Sequence, residues 1–426
     1  MKRTLISIIV ALVAITATAQ NFDEYFTGNT LRLDYVFAGD RKSQAIYVDQ
    51  LTQTPGWYGR RHNLDRLPLE GNGQITVRDA KTQRVIYRHS FSTLFQEWLA
   101  TEESKTTPKS FENVFLVPFP KDSADITVEL FDYHQKTFAS LTHKVRPDDI
   151  LIRKINRPQN PFSVIHPAKD TANCINIAFV AEGYTKDEMA SYIDDVKIAV
   201  DALFSHATFN KYKDYLNIIA VESPSKESGT SEPGNGKWIN TALSSHFSTF
   251  YSDRYLTTLH LKQLHDQLVA VPYEHIIVLV NSTKYGGGGI YNSYTLTAAK
   301  DKSFRPVVVH EFGHSFGGLG DEYFYDDQYE QFYFPGIEPW EQNLTTLADF
   351  GKKWYDMLPE GTPIPTPHAG LAGNDMEHIG VYEGGGYLIN GVWRGCDTCR
   401  MRVNEVDDFC PVCQQALERL ILFYIK

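Results

Sequence analysis

The chain has 426 residues, of which 42% are hydrophobic, 13% aromatic and 22% charged. That is a globular composition long enough for about two to three cores. Lys+Arg 41 against Asp+Glu 52 leaves a net charge of −11, and no long basic block offers a footprint for nucleic acid. A mean hydropathy of −0.32, with no apolar run of ~18 residues beyond the N-terminus, argues against a membrane-embedded protein.

Lys2 and Arg3 precede an apolar stretch from Leu5 to Ile15, followed by an Ala-x-Ala site at Ala17 and Ala19. The pattern predicts a secretory signal over residues 1–19. No Cys follows the cleavage point, so release to the periplasm or medium is expected rather than lipid anchoring.

Residues 20–155 predict an antiparallel β-sandwich. Leu31–Phe37, Gln74–Arg78, Arg84–Arg88, Val114–Val117, Ile126–Phe131 and the stretch around Leu141 combine period-2 apolar spacing with β-branched and aromatic residues. Asp79–Gln83 reads as a hairpin loop, and no catalytic cluster appears in this region. A linker is expected at Arg157–Pro161, where two prolines break the pattern.

From residue 160 to 426 strands and helices alternate, which predicts a mixed sheet with helices packed on it. Ile175–Val180, Ile218–Val221 and Ile276–Val280 are the expected strands, and Cys174 is expected to be a buried, inert thiol. Lys186–Phe204 has helical spacing, with Thr185 as N-cap ahead of Glu188.

The segment from Arg305 to Tyr323 contains His-Glu-x-x-His. On a helix His310 and His314 share one face, a spacing that lets two imidazoles reach one Zn2+ ion at ~2.0–2.1 Å. Glu311, about 100° around the axis, can contact a water at the metal without being a ligand. Pro306 suits the first helical turn, where a missing N–H costs nothing. A catalytic zinc usually takes a third protein ligand. In the metzincin continuation, His-x-x-Gly-x-x-His, Gly317 holds the glycine position but Gly320 stands where the ligand belongs. A turn at Gly318 instead makes Asp321 the first candidate. Glu322 competes, and Glu383 or Asp375 are more distant alternatives. With Asp321 as ligand, Glu322 is expected to orient a histidine N–H.

His310–Tyr323, the strand Ile276–Val280 ahead of Tyr285-Gly286-Gly287-Gly288-Gly289, Glu383-Gly384-Gly385-Gly386-Tyr387 and Cys399-Arg400-Met401-Arg402 resemble the bacterial IgA-specific metalloendopeptidase family. The resemblance covers about residues 160–426, and the preceding β region is similar to the family's N-terminal module. It implies a zinc endopeptidase with a metzincin-like catalytic domain, one catalytic ion and a protein or peptide substrate, without implying that immunoglobulin A is that substrate. It also implies that Met401 floors the metal site, and that Gly286–Gly289 resembles an edge strand pairing with extended substrates. Tyr387 and Tyr323 are candidate donors to a developing oxyanion. The rival readings are another zinc-dependent hydrolase of cell-wall or small amides, and a non-catalytic host-protein or glycan-binding protein.

Cys396, Cys399, Cys410 and Cys413 form C-x2-C, ten residues, C-x2-C. In a cytosolic chain this suggests a structural zinc; in an exported one disulfides are expected, stapling the Met401 turn to a C-terminal helix from Pro411 to Tyr424. Three connectivities are open.

Overall fold

The computed structural model describes residues 21–325, 332–368 and 376–426; the expected signal segment 1–19 and the candidate ligand Asp375 lie outside them. The fold is mixed α+β. The β-rich N-terminal region contains two four-stranded sheets. One runs Lys109–Pro120, Phe26–Gly39, Gln44–Pro55 and Arg153–Lys154 in spatial order; the other runs Val85–Phe91, Gly73–Asp79, Ala124–Phe131 and Thr137–Val145. All pairings are antiparallel except the short Arg153–Lys154 strand, which lies parallel to Gln44–Pro55. The inner faces meet directly: Phe91 of one sheet and Phe115 of the other have ring centroids 4.3 Å apart. Gln44–Pro55 was not expected as a strand, because most of its residues are exposed or half-buried and its apolar alternation is weak.

Phe26–Gly39 is buried on both faces along its middle. Leu31, Leu33, Tyr35 and Phe37 point into the core between the sheets, while Arg32 and Asp34 are buried on the opposite side. There Arg32 donates to both Asp34 carboxylate oxygens at 2.6 and 3.0 Å and reaches across to Asp266 at 2.6 Å. Asp266 belongs to the helix Leu261–Gln267, so this guanidinium ties the β-rich region to the second half of the chain.

The next sheet has six strands, in the order Gly287–Ile290, Tyr294–Ala298, His275–Val280, Ile175–Glu182, Leu216–Val221 and Phe162–His166. The four central strands are parallel and both edges antiparallel. Parallel strands covered on both faces read as continuous apolar runs, and every residue of Ile175–Glu182 is buried. Period 2 then sorts the side chains. Ile175, Ile177, Phe179 and Ala181 face the helices Met189–Phe204, Phe304–Ser315 and Pro411–Ile425; Ala178 and Val180 join the core of the β-rich region. The edge strand Phe162–His166 begins directly after the expected linker and was missed. Thr185 and Glu188 form a reciprocal capping box, followed by a tight turn before the regular helix from Met189. Cys174 lies just ahead of its strand and is only half-buried, and burial pushes its thiol up to about 11.

Arg32→Ala strands a buried carboxylate at Asp34. Denaturant unfolding is expected to show a loss of about 3–5 kcal/mol, whereas the double replacement Arg32→Met with Asp34→Leu recovers most of it.

Candidate active site

The helix Phe304–Ser315 carries His310, Glu311 and His314. Pro306 is its third residue, where its missing N–H is one of the free first-turn donors. Thr295 of the neighbouring strand donates its hydroxyl to the Glu311 carbonyl at 3.2 Å, seating the helix on the sheet. The helix stops at Ser315, and Gly318 turns the chain with φ +57. In that turn the Gly318 and Leu319 N–H groups donate back to the carbonyls of His314 and Gly313 at 2.9 and 3.1 Å. A side chain with a Cβ resists such a φ.

The turn has two consequences. It brings the Leu319 carbonyl onto His314 Nδ1, at 2.6 Å, and it returns Asp321 to the helix face. Asp321 Oδ1 lies 3.0 Å from His310 Nε2 and 3.2 Å from His314 Nε2, and the two Nε2 atoms are 3.1 Å apart. His310 Nδ1 faces the Arg400 carbonyl at 3.0 Å. A carbonyl only accepts, so both Nδ1 atoms carry the proton. In the neutral rings both Nε2 lone pairs then point at one spot beside a carboxylate. Two lone pairs and an anion at that separation call for a cation between them. Ligands at 2.0–2.1 Å around a tetrahedral ion lie about 3.3 Å apart, so the three atoms suit a zinc-sized ion.

A proton on His314 answers the same demand for positive charge. Burial disfavours a charged His314, but the Asp321 carboxylate outweighs it and lifts its pKa to about 10. Burial likewise opposes ionisation of Asp321, yet His314 and His310 hold that carboxyl well below the usual range. Glu311 is raised, chiefly by burial and against the pull of His310 and His314. A raised carboxyl beside the convergent atoms is suited to accepting and returning a proton.

Glu322, next in the chain, turns the other way. It is fully buried and reaches Asn343 at 2.9 Å and Cys413 at 3.1 Å. The expected role of orienting a histidine falls instead to the Arg400 and Leu319 backbone carbonyls, which residue types cannot reveal. Glu383 accepts from the Gly391 N–H at 3.0 Å and does not join the three convergent atoms. Tyr387 donates its hydroxyl to Asp321 Oδ2, and Gly386 N–H donates to the Asp321 carbonyl at 2.7 Å, so the Gly384–Tyr387 turn grips the acid. Tyr323 stacks over His310, with centroids 6.3 Å apart and planes inclined by 17°.

Gly287 and Gly289 pack against the helix. A Cβ on Gly287 would sit 2.6 Å from Glu311 Oε1, and one on Gly289 would collide with the Glu311 carbonyl. These glycines form part of an edge strand, but one outward group is already taken: the Leu256 N–H donates to the Gly287 carbonyl at 3.1 Å. Met401 is buried beneath the helix, its sulfur 2.7 Å from where a Cβ on Gly313 would stand. The expected disulfides are not formed. All five cysteines are free, and the Cys399 and Cys413 sulfurs stand 3.7 Å apart, far beyond the ~2.05 Å of a covalent bridge.

A cleft of about 1330 Å³ is lined by His310, Glu311 and His314, by Phe131 and Tyr133 of the β-rich region, and by Arg254. The Arg254 guanidinium lies over the rings of Tyr323 and Tyr325 at 5.9 and 5.6 Å, a cationic feature that no sequence motif announced. Convergent donors, an adjacent carboxylate of raised pKa and an open cleft suit a hydrolase. Residues 164–377 match the family described as IgA Peptidase M64, and residues 21–142 match its N-terminal module, Peptidase M64 N-terminus. The chain belongs to the IgA peptidase M64 family, a family of peptidases. No curated protein matches it. Among the described residues no helix is long and apolar enough to cross a membrane.

Gly287→Ala drives a methyl group into the Glu311 carboxylate. The expected result is a fall in kcat/KM of roughly tenfold to a hundredfold, as a displaced catalytic group costs, with metal content unchanged by elemental analysis.

Proposed function

We propose that the chain is an exported zinc-dependent endopeptidase. His310, His314 and Asp321 hold one catalytic ion, Glu311 is the general base, and the architecture is metzincin-like, with Met401 as the floor of the site. The observation that carries this reading is the meeting of His310 Nε2, His314 Nε2 and Asp321 Oδ1 at 3.0–3.2 Å beside Glu311 in a chain of a peptidase family. The charged segment Lys2–Arg3 and the apolar stretch after it support export. Residues 20–155 and 160–426 are proposed as the β-sandwich and catalytic units.

When bound, zinc supplies Lewis acidity to the scissile carbonyl and brings the pKa of water down to about 7. Glu311 takes a proton from the attacking water and delivers it to the leaving amine nitrogen. The Arg400 and Leu319 carbonyls keep the two histidines in the tautomer that presents Nε2. Tyr387 holds Asp321 through Oδ2 and leaves Oδ1 turned toward the histidines. Tyr387 therefore acts as a positioning residue.

The reading predicts cleavage of denatured proteins that chelator abolishes and zinc restores, with no hydrolysis of peptidoglycan. The opposite selectivity would make it an amidase. Glu311→Gln is expected to keep its metal and lose about 10²–10⁴-fold in kcat. Asp321→Ala is expected to lose metal and activity together; full metal occupancy in that variant would remove Asp321 from the ligand set.

A further inference from the structure

The four clustered cysteines lie beyond the residues matched to the peptidase family, and the catalytic chemistry does not use them. Four ligand atoms, the sulfurs of Cys399, Cys410 and Cys413 and a carboxylate oxygen of Glu322, fall within 4.8 Å of one another, and all four residues are buried. Sulfurs bound at about 2.3 Å to a tetrahedral zinc stand about 3.8 Å apart. Cys399 and Cys413 stand at 3.7 Å, too far for a covalent bridge and at the edge length of that tetrahedron. The Cys410 N–H donates to Cys399 Sγ at 3.2 Å, which favours an anionic sulfur. Glu322 supplies an independent sign. It is 0% exposed, Oε1 faces Cys413, and Oε2 has no hydrogen-bond partner among the described residues. The nearby guanidinium of Arg394 is engaged elsewhere, by the carbonyls of Glu383 and Gly384 and by Asp397. A carboxyl buried in this state is ionised only beside a cation.

We infer that Cys399, Cys410, Cys413 and Glu322 form a second, structural site for a thiophilic divalent ion of the zinc class. Three soft sulfurs select such an ion over magnesium or calcium, and four protein ligands close the coordination shell. Each thiol gives its proton to solvent on binding, so no oxidant or reductant is involved. Cys396, also buried, stays outside the converging set.

The placement gives this ion a purpose. Cys399 precedes Arg400, whose carbonyl orients His310, and Met401, which lies under the helix. Glu322 follows Asp321, and its N–H donates to the Met401 carbonyl at 2.9 Å. An ion joining Cys399 to Glu322 therefore pins the strand of chain that carries the third catalytic acid to the turn that orients the first histidine.

Elemental analysis and native mass spectrometry of the purified full chain test this without activity. Two zinc ions per wild-type chain are expected, with one retained in the double variant His310→Ala, His314→Ala. That double variant, reloaded with cobalt, is expected to show thiolate-to-cobalt charge-transfer absorption in the near ultraviolet. Cys410→Ser with Cys413→Ser is expected to lose that absorption; should it fail to fold, the wild-type count and the cobalt spectrum still decide. Cys396→Ser is expected to keep two ions, and loss of the second would overturn Glu322 as the fourth ligand. The inference falls if the unreduced wild-type chain is lighter by the hydrogens lost in disulfide formation. It falls equally if the double histidine variant binds no ion. Neither result touches the catalytic assignment, which rests on other residues.

Discussion

Everything around the active site depends on one electrostatic constraint. Two imidazole nitrogens and a carboxylate oxygen are held 3.0–3.2 Å apart, with both Nδ1 positions committed to backbone carbonyls. Neutral rings in that tautomer offer only lone pairs to the shared point. Positive charge at that point, carried by a proton or a metal ion, offsets the carboxylate, and the strong mutual pull of His314 and Asp321 expresses the same demand. The surrounding structure resists relaxation of the three groups. The helix carries two of them at fixed pitch, the Gly318 turn delivers the third, and Tyr387 and Gly386 hold that acid from behind.

Close approach of backbone to backbone makes this possible. Gly313 lets Met401 press against the underside of the helix, and Gly287 and Gly289 let an edge strand lie against Glu311 on the other side. At each of these positions one methyl group would move a functional atom. The glycine run is therefore explained by packing on Glu311 as much as by any pairing with a ligand.

The sequence disclosed the elements whose signal is local. The apolar runs at Ile175–Glu182 and His275–Val280, the Thr185 capping box and the His-Glu-x-x-His helix appear where expected. Asp321 and Glu322 face different neighbours, the histidines and Cys413, since a single step along an extended chain turns successive side chains to opposite sides. Less was legible where the determinant is a backbone atom or a distant partner. The carbonyls of Arg400 and Leu319 orient the histidines, yet any residue type supplies a carbonyl. The strand Gln44–Pro55 carries little apolar alternation because much of it faces solvent. The disulfide expectation rested on compartment alone, whereas the sulfur spacing depends on how Cys399 and the helix from Pro411 dock.

The β-rich region and the six-stranded sheet are physically interdependent. Because the central strands of the six-stranded sheet are apolar on both faces, one face needs a cover other than its own helices. The β-rich region provides it. Ala178, Val180, Ile219, Val221, Ile276 and Val278 join the same buried cluster as Leu31, Phe37 and Phe115. Removing the β-rich region would expose that face and leave Asp266 without Arg32. The two regions also share the cleft, which Phe131 and Tyr133 of the β-rich region and Arg254 line together. The β-rich region, which carries none of His310, Glu311, His314 and Asp321, still lines the cleft that leads to them.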